Sequence, residues 1–218
     1  MHRSVADKWE KTAVLMKHRS VAAIIPETRR FSAPQLSRML ARYGKVVAKP
    51  TTGTGGSGLI LIYRQDTGYA YHYRGSVRRA ATFGMLLTAV NRIRRGRSYL
   101  LQRAIRLARI QGRPVDYRVK IVNKGRKWVI TGIVGRLARP GLFVTNLCKG
   151  GTLLKSNDAI RRSLGRPPAK VKGEMRALTH HCAGMLVRAF PGIGQLGFDY
   201  GIDSSGKLWI LEVNTQPK

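Results

Sequence analysis

The sequence predicts an α+β fold. Two observations carry this: short alternating apolar runs joined by tight turns, and helical segments lying between those hairpins instead of after every strand. The helical segments come first. Residues 6–19 predict a helix from the spacing of Trp9, Ala13, Val14 and Met16, with Asp7 near its start, where an acid favours the helix dipole. Pro26 breaks the chain after it. Residues 33–43 predict a second helix, with Ser32 as N-cap, Pro34 in the first turn and Gly44 as the stop.

The period then changes to that of strands. Residues 45–50 and 59–63 flank a glycine-rich loop, and 69–73 come after a turn at 66–68. Residues 76–95 read as helix and 99–103 as a short apolar strand. Segments 115–122 and 127–134 alternate around 123–125, which predicts a hairpin. An irregular basic stretch over 135–155 and a loop at 166–168 precede a helix of 174–189. Segments 197–203 and 207–213 close the series as a second hairpin around 204–206. No internal repeat or low-complexity tract is visible.

Composition narrows the class. A chain of 218 residues with 43% hydrophobic content can bury a core as one large or two small domains. No apolar run of about 18 residues is present, so no membrane-spanning helix is expected. Asp7, Lys8 and Glu10 interrupt the N-terminal stretch before a signal peptide could form. The two cysteines, Cys148 and Cys182, lack metal-ligand spacing, which predicts structural thiols in a reducing, cytoplasmic setting.

The charge is far from ordinary. Forty-one basic residues against ten acidic ones give a formal net charge of +31. Such a surface attracts polyanions: nucleic acid, phosphate-rich ligands or an acidic peptide. Arg92, Arg94, Arg95 and Arg97 are dense, but the basic residues form no single block and no nucleic-acid-binding module can be read. Charge alone therefore does not favour a dedicated nucleic-acid role. It also makes each of the ten acids worth asking about.

Gly53-Thr54-Gly55-Gly56-Ser57-Gly58 matches a dinucleotide fingerprint letter for letter. The fingerprint needs a helix directly after it, whereas Leu59-Ile60-Leu61-Ile62-Tyr63 is a strand-type run. A Walker loop fails too, for want of Gly-Lys-Ser/Thr. There remains a glycine loop between strands with Lys49 leading in. It fits either a phosphate cradle or a plain hairpin turn.

The second constellation is at the far end of the chain. Glu212 and Asn214 are two apart on a strand and share a face. Asp199 on the partner strand falls opposite residue 211 or 212. Three oxygen-bearing side chains on one patch suit a hard divalent cation, while a solvated strand face is the plainer reading. The apolar neighbours Leu196, Phe198, Leu208, Ile210, Leu211 and Val213 argue for burial and a countercharge.

Read in order, these features are similar to the ATP-grasp superfamily, to its RimK-type glutamate ligases and above all to YheC/YheD-like proteins. The shared text includes Pro26-Glu27-Thr28, Val47-Ala48-Lys49-Pro50, Asp116-Tyr117-Arg118, Thr145-Asn146 with Gly150-Gly151, and Leu211-Glu212-Val213-Asn214. The resemblance implies two α+β subdomains clasping ATP between antiparallel sheets. It divides the chain into 1–44, a helical segment contributing to the cleft; 45–105, the small subdomain; and 106–218, the large subdomain with the metal site. It also implies a set of roles. Lys8 and Lys49 would meet the ATP phosphates, with Gly53, Gly55, Gly56, Ser57 and Gly58 over them. Gln102, Arg103, Ala104 and Ile105 would hold adenine. Asp116 would lie toward the ribose or a nearby lysine, and Arg118 toward phosphate or substrate. Arg136 would steady the γ-phosphate, Asn146 would belong to a closing loop, and Asp199, Glu212 and Asn214 would hold Mg²⁺ or Mn²⁺. Lys49, Arg118 and Arg136 would be catalytic in a carboxylate–amine or carboxylate–thiol ligation through an acyl phosphate.

The chain departs from that pattern. Arg103 stands where the ligase branch often has glutamate, and the motifs begin at residue 7, so the usual N-terminal substrate domain is expected to be missing. Substrate recognition would then come from a partner protein or from a second copy in a homo-oligomer. The alternatives are a spore-coat-associated or polyanion-binding relative without turnover, and a nucleic-acid-binding protein.

Overall fold

The computed structural model describes residues 3–53, 55–125 and 127–217. In chain order it forms α1 (Lys8–Met16), α2 (Arg19–Ala22), β1 (Thr28–Arg30), α3 (Ala33–Tyr43), β2 (Lys45–Pro50), β3 (Ile60–Arg64), β4 (Tyr69–Tyr73), β5 (Ser76–Ala80), α4 (Phe83–Arg94) and β6 (Tyr99–Arg103). The chain continues through β7 (Arg109–Ile110), β8 (Arg113–Lys124), β9 (Lys127–Leu137), β10 (Thr152–Lys155), α5 (Ser156–Leu164), α6 (Pro168–Ala189), β11 (Gln195–Ile202) and β12 (Leu208–Asn214). They divide into two compact units, 26–105, and 1–25 together with 106–218. The segment 1–44, expected as one N-terminal piece, is thus split: Leu15, Val21 and Ile25 join the larger core, and Leu36, Met39 and Leu40 the smaller.

The smaller unit is a sheet in the order β1-β6-β2-β3-β4-β5. Its helix α3 begins as the sequence predicts: Ser32 Oγ accepts from the Gln35 N–H at 3.3 Å, and Gly44 ends the helix at φ 66°. The expected helix over 76–95 is corrected. Residues 76–80 are strand β5, paired with β4 through a two-residue turn, and only Phe83–Arg94 is helical. The turn is hard to read because Arg74 takes its first left-handed position (φ 49°), with Gly75 second at 85°. An Arg-Gly pair is a weaker signal there than Asn-Gly. Thr82, which accepts from the Met85 N–H at 3.2 Å, is the true helix start.

The larger unit is a sheet in the order β10-β9-β8-β11-β12, with β7 beside β8. Its two central hairpins run longer than the sequence predicts. Residues 135–155, expected to be irregular, contain the end of β9, a 3₁₀ turn (Leu147–Lys149) and β10. Helix α5 has no counterpart among the expected elements, and α6 begins at Pro168, six residues before the expected start.

Alternation divides this sheet into two chemistries. Val115, Tyr117, Val119 and Ile121 of β8 and Leu196, Phe198, Tyr200 and Ile202 of β11 are buried in one apolar core with α6 residues Met175, Cys182 and Leu186. At Gly135 of β9 an added Cβ would lie 2.4 Å from Ala159 Cβ, so only glycine lets α5 seat this closely. A buried polar pair on this side is satisfied, Thr179 Oγ1 lying 2.8 Å from Tyr200 Oη. The intervening residues of β8 and β11 face the other way. Phe198, the ring beneath that face, is fully buried. Phe198→Ala is expected to cost about 3–5 kcal/mol of unfolding free energy, measurable by urea denaturation.

Candidate functional site

The site is built by strand register. Asp199 of β11 pairs with Arg118 of β8 on one side and Glu212 of β12 on the other. Asp116 pairs with Arg136 of β9, and Gly197 with Lys120 and Asn214. Directly opposed residues share a face, so these side chains emerge together from the polar side of the sheet. The choice between residues 211 and 212 opposite Asp199 is resolved by a bulge. Asp199 opposes Glu212 but Tyr200 opposes Ile210, so Leu211 is the extra residue. The bulge keeps Glu212 and Asn214 in step with Asp199 while Ile210 still faces the core.

Four of these groups form a buried charge network. Arg136 forks onto Asp116, Nε to Oδ1 at 2.7 Å and Nη2 to Oδ2 at 2.6 Å. Arg136 Nη2 also lies 3.1 Å from Asp199 Oδ1. Arg118 forks onto Asp199, with its Nη2 donating to Oδ2 at 3.0 Å, and Thr145 Oγ1 donates to Asp116 Oδ2 at 2.6 Å. Asp116, Arg136 and Asp199 are 5%, 6% and 7% exposed, so their charges depend on one another and not on water. Burial opposes ionisation of Asp199, but Arg136 and Arg118 outweigh it and hold the carboxyl below its ordinary value. Burial pushes Asp116 the other way, against the Arg136 fork and the Thr145 hydrogen bond. Arg136 stays charged despite its own burial because Asp199 and Asp116 flank it. Asp116 therefore meets an arginine and a threonine here, where the resemblance pointed to a ribose or a lysine. Thr145 stands in one of the shared motifs, but no role for it could be read from the sequence.

Lys8 and Glu212 extend the network. Asp7 caps α1 by accepting from the Trp9 N–H at 2.6 Å, which places Lys8 at the first helical position. Lys8 is buried, and its Nζ lies 3.8 Å from Glu212 Oε1, so it is not a solvated helix charge. Lys11, one turn on, is buried as well and donates to the carbonyls of Val5 and Asp7. Val5 N–H in turn donates to Thr215 Oγ1 at 3.0 Å, tying the entry to α1 onto the residue after Asn214. At Gly197 an added Cβ would meet Pro217 Cβ at 2.5 Å, so the segment after β12 lies across the glycine.

In the smaller unit Lys49 is buried and its Nζ donates to Gln102 Oε1 at 3.1 Å, while Gln102 Nε2 donates to Thr28 Oγ1 at 2.9 Å. The N–H of Arg103 donates to the Glu27 carbonyl at 2.8 Å and that of Ala104 to the Lys45 carbonyl at 3.2 Å. Arg103 stacks its guanidinium 5.2 Å from the Tyr43 ring centre. Ile105 ends this unit. After Lys49 comes the loop that the sequence predicts, and it runs into strand β3, not into a helix. Gly53, Gly55, Gly56 and Gly58 all have positive φ, from 68° to 105°. Gly58 is also held, since Tyr99 Oη donates to its carbonyl at 3.0 Å and an added Cβ would meet that oxygen at 2.8 Å. Ser57 is exposed within the turn, and Thr54 lies outside the described residues. Asn146 precedes the 3₁₀ turn, and its carbonyl accepts from Lys149 and Gly151. Gly151 has no room for a Cβ, which would lie 2.6 Å from the Thr145 carbonyl.

Among the described residues no three His, Cys, Asp or Glu side chains gather as a metal cage. The donor set that fits a divalent cation is Asp199, Glu212 and the Asn214 amide, all hard oxygens on one face. Its two carboxylates are paired with the side-chain cations Lys8, Arg118 and Arg136, with which a metal would have to share them.

A YheC/D-like ATP-grasp family model matches residues 1–218. The chain belongs to that family. This YheC/D-like chain is 28% identical, over 99% of its length, to the endospore coat-associated protein YheD of Bacillus subtilis strain 168, of which it covers 49%. It is 24% identical over 99% to YheC of the same organism, covering 61%. The chain therefore spans about half to three fifths of the length of these relatives. A solved carboxyaminoimidazole ribonucleotide synthase from Aspergillus clavatus, complexed with ATP, superposes with a TM-score of 0.56 at 14% identity, over 99% of this chain and 46% of the other. The fold is ATP-grasp, as the sequence motifs imply. Among the described residues no helix is long and apolar enough to cross a membrane.

Two outcomes are expected at the site. Arg136→Ala leaves Asp116 with only the Thr145 hydroxyl, beside an Asp199 that Arg118 alone still pairs, and is expected to destabilise the chain by about 3–5 kcal/mol in urea denaturation. Burial lowers the pKa of Lys11 from 10.5 to about 8. Between those values the unfolded chain binds the proton that the folded chain has lost, so this lysine's contribution makes stability rise with pH across the window. Unfolding free energy of Lys11→Met, measured over the same pH range, is expected to lack that rise.

Proposed function

We propose that this chain is a Mg-ATP-dependent ligase that activates a carboxylate for attack by an amine or a thiol. The observation that carries the reading is the row Arg118–Asp199–Glu212, register-paired on one sheet face, with Arg136 and Lys8 bonded into it. Support from the smaller unit comes from Lys49, buried on the strand that leads into a loop whose four glycines all have positive φ, the kind of backbone that can fold over a phosphate. Family membership and the ATP complex of a fold relative point the same way.

In this reading Lys49 and the loop residues Gly53, Gly55, Gly56, Ser57 and Gly58 bind the phosphates, with Lys8 beside the metal strand, while Gln102, Arg103, Ala104 and Ile105 hold adenine. Asp199, Glu212 and Asn214 would hold Mg²⁺ or Mn²⁺, which when bound neutralises phosphate charge. The substrate carboxylate oxygen attacks the γ-phosphorus, the bond to the bridging oxygen breaks, and ADP leaves. The nucleophile then adds to the acyl phosphate carbon, loses its proton and expels inorganic phosphate. Arg118 and Arg136 would supply positive charge to the transferring group through the N–H groups their carboxylate partners leave over, and Asp116, through its bond to Arg136, sets the plane of that guanidinium. The strongly basic surface favours an acidic substrate, such as an acidic peptide, and a partner protein or second copy completes its recognition. Likeness to coat-associated relatives supports synthesis in the cytoplasm with delivery to a spore coat. The second reading, supported by the +31 charge, is polyanion binding without turnover.

ADP release, measured against a panel of carboxylate and amine pairs, tests the two. Glu212→Gln and Lys49→Ala are each expected to lower Mg²⁺-dependent ADP formation by about a hundredfold or more. Undiminished activity in Glu212→Gln would remove the metal assignment. Absence of any carboxylate-stimulated ADP release, with salt-sensitive polyanion binding unchanged in both variants, would favour the second reading.

A further inference from the structure

A pocket of about 370 Å³ opens in the larger unit at the end of the sheet away from Glu212. Three chain segments build it: residues 106–109, the end of α5 with Arg166 beyond it, and the β11–β12 turn. Its lining is basic, though Glu174 outside it pairs with Arg166. Arg106, Arg109 and Arg166 line it together with Ser163 and Ser204, and no carboxylate among the described residues does. The nearest turn acid, Asp203, is consumed within the turn. Its Oδ1 accepts from the N–H groups of Ser205 and Lys207 and from Ser205 Oγ, and its Oδ2 accepts from Trp209 Nε1 at 2.7 Å.

Two of the three guanidiniums, those of Arg166 and Arg109, are held by the protein itself. Arg166 Nη1 donates to the Gly206 carbonyl at 3.1 Å, and its Nη2 lies 3.2 Å from Glu174 Oε1. Arg109 is held by the Gly112 carbonyl through Nη1. The walls are fixed too, since Ala108 N–H donates to the Ile202 carbonyl at 2.7 Å and Ser204 N–H to the Arg106 carbonyl at 3.2 Å. Gly206, at φ 83°, gives Arg166 its passage, because an added Cβ would lie 3.2 Å from Nη1.

We propose that this pocket binds a small soluble anion bearing one or two phosphate groups, at a site separate from the Asp116–Asp199 network. Separation comes from the faces of the sheet. Ser163 Oγ lies 2.9 Å from Tyr117 Oη, and Tyr117 points into the core side, opposite to Asp116. Phosphate is the match because guanidiniums and serine hydroxyls line the pocket with no carboxylate among them to pair a cationic ligand. The volume falls at the small end of ligand pockets, about 300–1,000 Å³, which suits a pyrophosphate-sized group.

Sodium pyrophosphate is the probe, titrated calorimetrically into the full chain in EDTA. Arg106→Gln/Arg109→Gln is expected to bind it at least about tenfold more weakly than the wild type, since two charge-assisted contacts are lost. Mg-ATP binding in that variant is expected to stay unchanged. Lys49→Ala is expected to keep the metal-independent pyrophosphate site. Ser204→Tyr, which adds bulk to the lining without changing charge, is expected to weaken pyrophosphate as well. A charge-matched control, Arg78→Gln/Arg79→Gln on exposed β5, is expected to stay within about twofold of wild type. Wild-type affinity in Arg106→Gln/Arg109→Gln, or an equal loss in the β5 control, would overturn the proposal by showing that only diffuse charge attracts the anion.

Discussion

The larger unit depends on the pairing of Asp116 and Asp199 with Arg136 and Arg118. Two carboxylates and two guanidiniums sum to zero charge, and the forks satisfy the oxygens that burial strips of water. No member is independent. Arg136 touches both acids, so it fixes their separation, and Thr145 brings the end of an otherwise irregular stretch to Asp116. The network sits on adjacent strands whose opposite face is the apolar core. Strand register, core packing and charge geometry are therefore one constraint. A slip of one residue in β8 or β11 would carry acids into the core and aromatics into the site.

Much of the fold is legible wherever local chemistry and burial agree. Ser32, Pro34 and Gly44 delimit α3 by capping physics alone, and the alternation in β8 and β11 reports a sheet with one buried face. Legibility fails where tertiary pairing overrides local pattern. Ser76–Ala80 carries two arginines and exposed Val77 and becomes a strand because β4 offers an edge, which no residue inside the segment announces. Helix α5, with its Asp and paired arginines, reads as polar coil until the apolar residues Ala159 and Ile160 are seen against Gly135.

The candidate site is legible in composition and less so in connection. Scarce acids in a basic chain flag Asp116, Asp199 and Glu212, and six of the thirteen buried polar or charged residues among those described (Lys8, Lys49, Gln102, Asp116, Arg136 and Asp199) are ones to which the resemblance gives a role. The pairings are not readable. That Asp116 belongs to Arg136, and that Lys8 reaches Glu212, depends on sequence separations that only register and helix placement bridge. Lys11 and Thr215 carry no motif at all, although their partners are the backbone of the motif-bearing segments. The charge of the chain, by contrast, overstates nothing: most arginines are exposed, and the buried Arg136 has carboxylates against it.

The contact between Val5 and Thr215 spans 210 residues. The first 25 residues belong to the same unit as residues from 106 onward, with the whole of 26–105 interposed. During synthesis the interposed unit is contiguous and can complete its six-stranded sheet as soon as β6 has emerged. Val5, Leu15 and Val21 have only one another and Ile25 as partners in their core until β8, α6 and finally Thr215 have been made, so an apolar segment waits for most of translation to be covered. The insertion thus sets an order of assembly: the smaller unit first, and the charge network, which needs β8, β9 and β11 together, close to last.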